Sequence, residues 1–280
     1  MNTRRVAVVT GGNKGIGFSI VKHLFGHSFD GDVILTARDV TRGQEAIKAL
    51  NDLGYKPLFH QLDIDDNQSI NDLRQYLMDN YGGLDVLVNN AAIAYPYDST
   101  APVTEQAANT LRTNFFSTRS VCEKLLPILR SHARVVNLSS ALGMLNKIKG
   151  ESLRKRFADP NLTDKQLLDL VNEYLEDVNN GRHVEKGWPN STYAVSKVAV
   201  TALTFIQQRQ LNADKSREDI VVNAVHPGYV DTDMTRHKGV LTPEQGADAP
   251  AYLALLPPNC KEPIGAMVWL DRRVVNWFTE

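Results

Sequence analysis

A chain of 280 residues with 42% hydrophobic and 22% charged residues has the balance of a globular protein and is long enough for one large α/β domain. Its 31 basic and 32 acidic residues nearly cancel, which gives no support to a nucleic-acid or membrane-surface partner. Cys122 and Cys260 have no metal-ligand spacing around them, so no metal is expected, and free thiols fit a reducing compartment.

Met1 to Val6 runs at once into an apolar β-branched segment without the long apolar core of a signal peptide, and no apolar run approaches the roughly 20 residues that span a bilayer, so a cytoplasmic protein is expected. Val6 to Thr10 predicts a buried parallel strand. A glycine-rich turn and a helical pattern through Ile16, Ile20, Val21 and Leu24 follow. Val33 to Thr36 predicts a second strand, with a helix marked by Ala46, Ile47 and Leu50 after it. Leu58 to Leu62 and a helix through Ile70, Leu73 and Leu77 repeat the unit. Leu84 to Val88 is a fourth strand, and a long helix from about Glu105 to Leu129 leads to a fifth, Arg134 to Leu138.

About 50 residues then separate the fifth strand from a helix starting near Ser191, far more than an ordinary loop. Thr163 and Gln166 have capping-box spacing ahead of an apolar stripe through Leu167, Leu168, Val171, Tyr174, Leu175 and Val178, and Gly181 provides a stop. The segment at about 145–187 therefore predicts a helical insertion within the domain. Ile220 to Val225 and Ala266 to Leu270 complete about seven strands. The whole predicts a single Rossmann-type, doubly wound parallel sheet with helices on both faces.

In the first turn, Gly11, Gly15 and Gly17 stand between a strand and a helix N-terminus, together with Asn13, Lys14 and Ile16. There the backbone can approach a pyrophosphate, and the helix offers free N–H groups and the positive end of its dipole. Sites for NAD place an acidic residue at the end of the second strand, but this one reads Thr36-Ala37-Arg38. Arg38 and Lys14 suit a 2′-phosphate, which points to NADPH/NADP as cofactor. Asp39 is a competing neighbour, able to pair with Arg38 or to contact the ribose. Tyr193 and Lys197, at i and i+4, share one helix face. Ser139 closes the fifth strand at the sheet's carboxyl edge, Asn89-Asn90-Ala91-Ala92 ends the fourth, and Asn114 lies on the helix between them.

Taken together, these features resemble the short-chain dehydrogenase/reductase family over nearly the whole chain. The motifs are the turn at 10–17, Asp63-Ile64, Asn89-Asn90-Ala91, Asn114, Ser139, Tyr193 with Lys197, and Pro227-Gly228 with Thr232. Within the family the chain is most similar to the monomeric, NADPH-dependent carbonyl reductases of the cytosol. Ala92 departs from the glycine usual there. The resemblance implies a catalytic set of Asn114, Ser139, Tyr193 and Lys197, with Tyr193 as proton donor, Lys197 lowering its pKa and holding the nicotinamide ribose, and Asn114 anchoring a water chain. It implies adenine contacts from Asp63 and Ile64, a ribose contact from Asn90, a nicotinamide amide contact from Thr232, and further cofactor contacts from Pro227 and Val230. A small-molecule substrate wall is expected from Ser139, Leu142, Met144, Tyr193, Tyr229 and Met234, suited to quinones, aromatic ketones and aldehydes. A monomer is expected, because the insertion covers helices that relatives use for assembly. Two rival readings stay open: a dedicated steroid, prostaglandin or pterin enzyme, and a redox sensor that binds NADPH without catalysis.

Overall fold

The computed structural model describes residues 4–27 and 29–279; Met1–Thr3, part of the segment on which the absence of a signal peptide was argued, lie outside them. Strand β1 (Arg5–Val9) leads through the glycine turn to α1 (Gly15–Gly26), followed by β2 (Gly31–Ala37), α2 (Val40–Asp52), β3 (Leu58–Gln61), α3 (Asn67–Tyr81) and β4 (Leu84–Asn89). Helices α4 (Val103–Leu111) and α5 (Thr118–Leu125) precede β5 (Leu129–Leu138). Then come α6 (Glu151–Phe157), α7 (Asp164–Asn179), α8 (Thr192–Ala213), β6 (Val221–Val225), α9 (Pro243–Ala254), β7 (Met267–Val268) and β8 (Val274–Val275).

The sheet order is β3-β2-β1-β4-β5-β6-β7-β8. All pairings are parallel except β7 with β8. Strand residues alternate between two buried faces, as the pleat requires. Ala7 and Val9 pack with Ile20 and Leu24 of α1, Leu50 of α2 and Leu253 of α9. Val6 and Val8 pack on the opposite side with Ile70, Leu73 and Leu77 of α3. That side continues into a cluster holding Leu111 of α4, Leu167 and Val171 of α7, and Val195 and Val198 of α8. A buried polar set ties the central strands to α8: Asn89 donates to Asn137 at 2.8 Å, and Asn137 donates to Thr204 at 2.9 Å.

Five details differ from expectation. The sheet has eight strands, because the chain after β7 turns back to add the short antiparallel β8. β7 itself pairs only at Met267 and Val268, since Trp269 already enters that turn, taking the Arg272 N–H on its carbonyl. The expected long helix at 105–129 is broken into α4, a π-helical turn at Arg112–Ser117, α5 and a 3₁₀ turn at Leu126–Ile128, where Pro127 ends it. β5 starts earlier, at Leu129, with a register irregularity against β4. Helix α7 has the capping box formed by Thr163 and Gln166, while α6 was not anticipated. α7 packs on α4 and α8. Among the described residues no helix is long and apolar enough to cross a membrane.

Candidate active site

At the carboxyl ends of the strands lies a cleft of about 490 Å³ that gathers residues from most of the chain. After β1, it is lined by Gly11, Asn13, Lys14, Gly15, Ile16 and Gly17. The left-handed φ angles of Gly11 (62°) and Gly15 (55°) make the turn possible. At Gly17 a Cβ would stand 2.5 Å from both Asn90 Nδ2 and Gly11 O, so no larger residue fits. The turn is fastened to β4: Thr10 Oγ1 accepts the N–H groups of Asn90 and Ala91 at 3.0 Å. Asn90 Nδ2 donates to the carbonyls of Thr10 and Gly11. Helix α1 opens at Lys14 without a side-chain cap, the arrangement that leaves first-turn N–H groups for an anion.

Arg38 lines the cleft after β2, Asp63 and Ile64 after β3, and Asn90 after β4. Asp39 accepts the Arg42 N–H at 2.9 Å as the N-cap of α2, so its carboxylate serves the helix end. Arg42 lines the same wall as Arg38. Sequence reasoning missed it; the available signal was its place one turn into a helix capped by Asp39. Lys14 Nζ pairs with Asp233 at 2.5 Å, and that pairing holds the Asp233 carboxyl below the ordinary range. A cradle in which only glycine fits, a free helix N-terminus and a cationic wall suit a phosphorylated dinucleotide.

Pro227 and Thr232 line the cleft after β6. Val230 does not: it is buried, packs toward Gly246 and shares a β-bridge with Leu241. Its side chain therefore supports that loop, which leaves its backbone for the expected cofactor contact.

At the far end stand Tyr193 and Lys197. Ser191 caps α8 by accepting the Ala194 N–H at 3.2 Å, which starts the helix just before Tyr193 and sets the two side chains one turn apart. Lys197 Nζ donates to Leu138 O at 2.7 Å and stands 5.6 Å from the Tyr193 ring centre. Burial pushes the Tyr193 phenol up to about 12, with a hydrogen bond from Ser140 pulling the other way. Burial likewise pushes Lys197 down to about 8. The expectation that Lys197 lowers the Tyr193 pKa is thus corrected for the protein alone: desolvation outweighs a cation already spent on a carbonyl.

The serine assignment is also corrected. Ser139 continues the β5 register, its N–H on Val225 O at 2.8 Å. That turns its side chain under α8, where Oγ bonds Thr201 Oγ1 at 2.6 Å and Lys197 O at 3.3 Å. Ser140, the first residue beyond this register, is the one whose hydroxyl meets Tyr193. A Ser-Ser doublet does not reveal which member leaves the sheet first. Asn114, on the π-helical turn, accepts the Ile93 N–H at 2.8 Å and donates to Ile93 O and to Ser196 Oγ. It clamps the loop after β4 onto α8.

Of the expected substrate wall, Met234 lines the cleft, and Leu142 and Tyr229 are exposed on the loops after β5 and β6. Met144 is buried in the core with Leu145 and Ile148, so its substrate role is corrected to packing. Ile93 and Thr113 line the cleft and were not anticipated. Among the described residues no group of three His, Cys, Asp or Glu could hold a metal ion.

The short chain dehydrogenase profile matches residues 5–152 and 181–240, leaving out most of the segment that carries α6 and α7. Carbonyl reductase (NADPH) 3 of Rattus norvegicus is 51% identical over 275 residues, 98% of each chain. Carbonyl reductase (NADPH) 1 of Homo sapiens is 48% identical, covering 97% of this chain and 98% of its own. The structure of salutaridine reductase from Papaver somniferum superposes with a TM-score of 0.84 at 32% identity, covering 94% of this chain and 99% of that one.

Proposed function

The chain belongs to the short chain dehydrogenase family, and from that premise we propose that it is an NADPH-dependent carbonyl reductase acting on quinones, aromatic ketones and aldehydes. The observation that carries this reading is one cleft lined by Lys14, Arg38 and Arg42 together with Tyr193 and Lys197. Near-50% identity to carbonyl reductases over almost the full length supports it.

NADPH, when bound, supplies a hydride from C4 of its nicotinamide. Gly11 to Gly17 and the α1 N-terminus would hold the pyrophosphate, and Arg38, Arg42 and Lys14 the 2′-phosphate. Asp63 and Ile64 would hold the adenine, and Thr232 the nicotinamide amide. The substrate oxygen lies between Tyr193 and Ser140. Both hydroxyls donate to it, and Tyr193 gives up its proton as negative charge develops. Lys197, whose Nζ is held on Leu138 O at 2.7 Å, would hold the nicotinamide ribose and, near the phenolic oxygen, stabilise the phenolate left behind. Asn114 keeps the loop after β4 and α8 in register around this oxygen.

The reading is tested by following nicotinamide absorbance with NADPH or NADH and a panel of menadione, an aromatic ketone, an aromatic aldehyde and a steroid ketone. Turnover of several substrates with NADPH and little with NADH is expected. Turnover of the steroid alone would favour a dedicated enzyme, and tight NADPH binding with no turnover would favour a sensor.

The serine correction makes its own prediction. Ser140→Ala should lower kcat about a hundredfold, with Tm falling by no more than about 2–4 °C through loss of the Leu142 N–H cap. Ser139→Ala should lower Tm by about 2–6 °C and leave kcat within about threefold. The reverse pattern would restore Ser139 to the reacting oxygen.

The pH dependence follows from Lys197. Its ammonium prevails below about pH 8, while the Tyr193 phenol, at about 12, stays protonated throughout that range. kcat/KM for reduction should therefore be flat on the acid side and fall as pH rises through about 8. A profile that rises there would contradict the ammonium's role.

We take the chain as one cytoplasmic domain and a monomer, with the insertion at about 145–187 in place of a partner subunit. The packing of α7 on α4 and α8 supports this. Light scattering should give the mass of one chain, and a stable dimer or tetramer would refute it.

A further inference from the structure

β5, β6 and β7 are neighbours, and their register runs past the last paired residues. Leu138 pairs Val225, and Val225 pairs Val268. Beyond them, Ser139 N donates to Val225 O at 2.8 Å and His226 N to Val268 O at 2.9 Å. Leu138, Val225 and Val268 all face α1 and α9. Alternation therefore turns the next residue of each strand, Ser139, His226 and Trp269, toward the face that carries α8. Two contacts agree: Ser139 bonds Thr201 of α8, and Trp269 packs against the cluster containing Val195 and Val198. His226 is thus one strand spacing, about 5 Å, from Ser139, whose neighbour Ser140 meets Tyr193.

The His226 ring is held in a defined state. It meets Trp269 at 4.5 Å between ring centres and 62° between planes. Its Nδ1 accepts the Gly228 N–H at 3.4 Å, which places the proton on Nε2. Burial lowers its pKa to about 4, so the ring is a neutral donor at physiological pH. Tyr229 and Leu142 stand exposed on the adjoining loops. The reduction step described above makes no use of this imidazole.

We propose that His226 is a specificity-determining residue: steadied by Trp269, its Nε2–H binds a second oxygen on a flat conjugated substrate whose other carbonyl is reduced at Tyr193. The class favoured is quinones and conjugated dicarbonyls over monocarbonyls. This rests on the reductase reading, and the experiment separates the two. Wild type, His226→Phe, His226→Leu and His226→Gln are compared on menadione, which has a second carbonyl, and on pentafluorobenzaldehyde, which has none. NADPH affinity is measured by fluorescence.

Both His226→Phe and His226→Leu should lower kcat/KM for menadione about tenfold, mainly through KM, and leave the aldehyde within about twofold. NADPH affinity should not move. His226→Gln, which retains a donor near the Nε2 position, should recover most of the menadione activity. A parallel loss on both substrates, or no loss on either, overturns the proposal. Loss of NADPH binding in both donor-less variants would also overturn it, because the ring would then be structural. A wild-type enzyme silent on both substrates would refute the reductase reading itself, whereas failure of this proposal alone leaves aldehyde turnover intact.

Discussion

Tyr193→Phe should lower kcat for carbonyl reduction by about three orders of magnitude while changing the NADPH Kd by less than about threefold. The substitution removes one oxygen and keeps the ring, so packing at the start of α8 is retained. What it removes is the only proton donor proposed to touch the substrate oxygen; Ser140 supports that oxygen but is far too weak an acid to replace a phenol. Lys197 cannot substitute, since its Nζ is held on Leu138 O at 2.7 Å. Cofactor affinity should survive because the glycine turn, Arg38 and Lys14 line the cleft without using the Tyr193 hydroxyl. The check is steady-state kinetics beside a fluorescence titration with NADPH. A variant with near-normal kcat would remove Tyr193 from the chemistry, and one that binds NADPH poorly would make it a structural residue.

Arg38→Asp should weaken NADPH about a hundredfold and NADH by no more than about threefold. Arg38 is exposed on the cleft wall beside Arg42, so its replacement costs the fold little. The loss comes from a charged hydrogen bond to the 2′-phosphate and from the like charge put in its place. NADH lacks that phosphate, and a carboxylate after β2 is the usual partner of its ribose 2′-OH. Asp39 also lines this wall, with its Oδ1 engaged by the Arg42 N–H at the start of α2. Kd and KM for both cofactors decide the matter. Equal weakening would mean that Arg38 acts through the loop's structure and that NADPH selection lies with Arg42 and Lys14.

Much of this was legible without coordinates, and the reasons are local. The alternation of short apolar runs with helical periodicity predicted the parallel sheet, since a strand buried on both faces has no polar side to show. The Thr163–Gln166 capping box and the Ser191 start of α8 are contacts within one helical turn, so their spacing was enough. Gly17 is required by the close approach of Asn90, and the glycine pattern announced such an approach without naming its partner.

What the sequence by itself determined is the family, the sheet, the glycine cradle, the NADPH-directed basic residues and the Tyr193–Lys197 pair, because each is written in spacing along one segment. The tertiary structure decided which of two adjacent serines meets Tyr193, that Met144 belongs to the core, that Val230 supports a loop, and that Asp39 caps a helix. It also brought Arg42 to the cleft wall that Arg38 lines and set His226 against Trp269. Those outcomes depend on where a strand releases its register and on how neighbouring strands align. Both are settled by hydrogen bonds and packing between segments far apart in the chain.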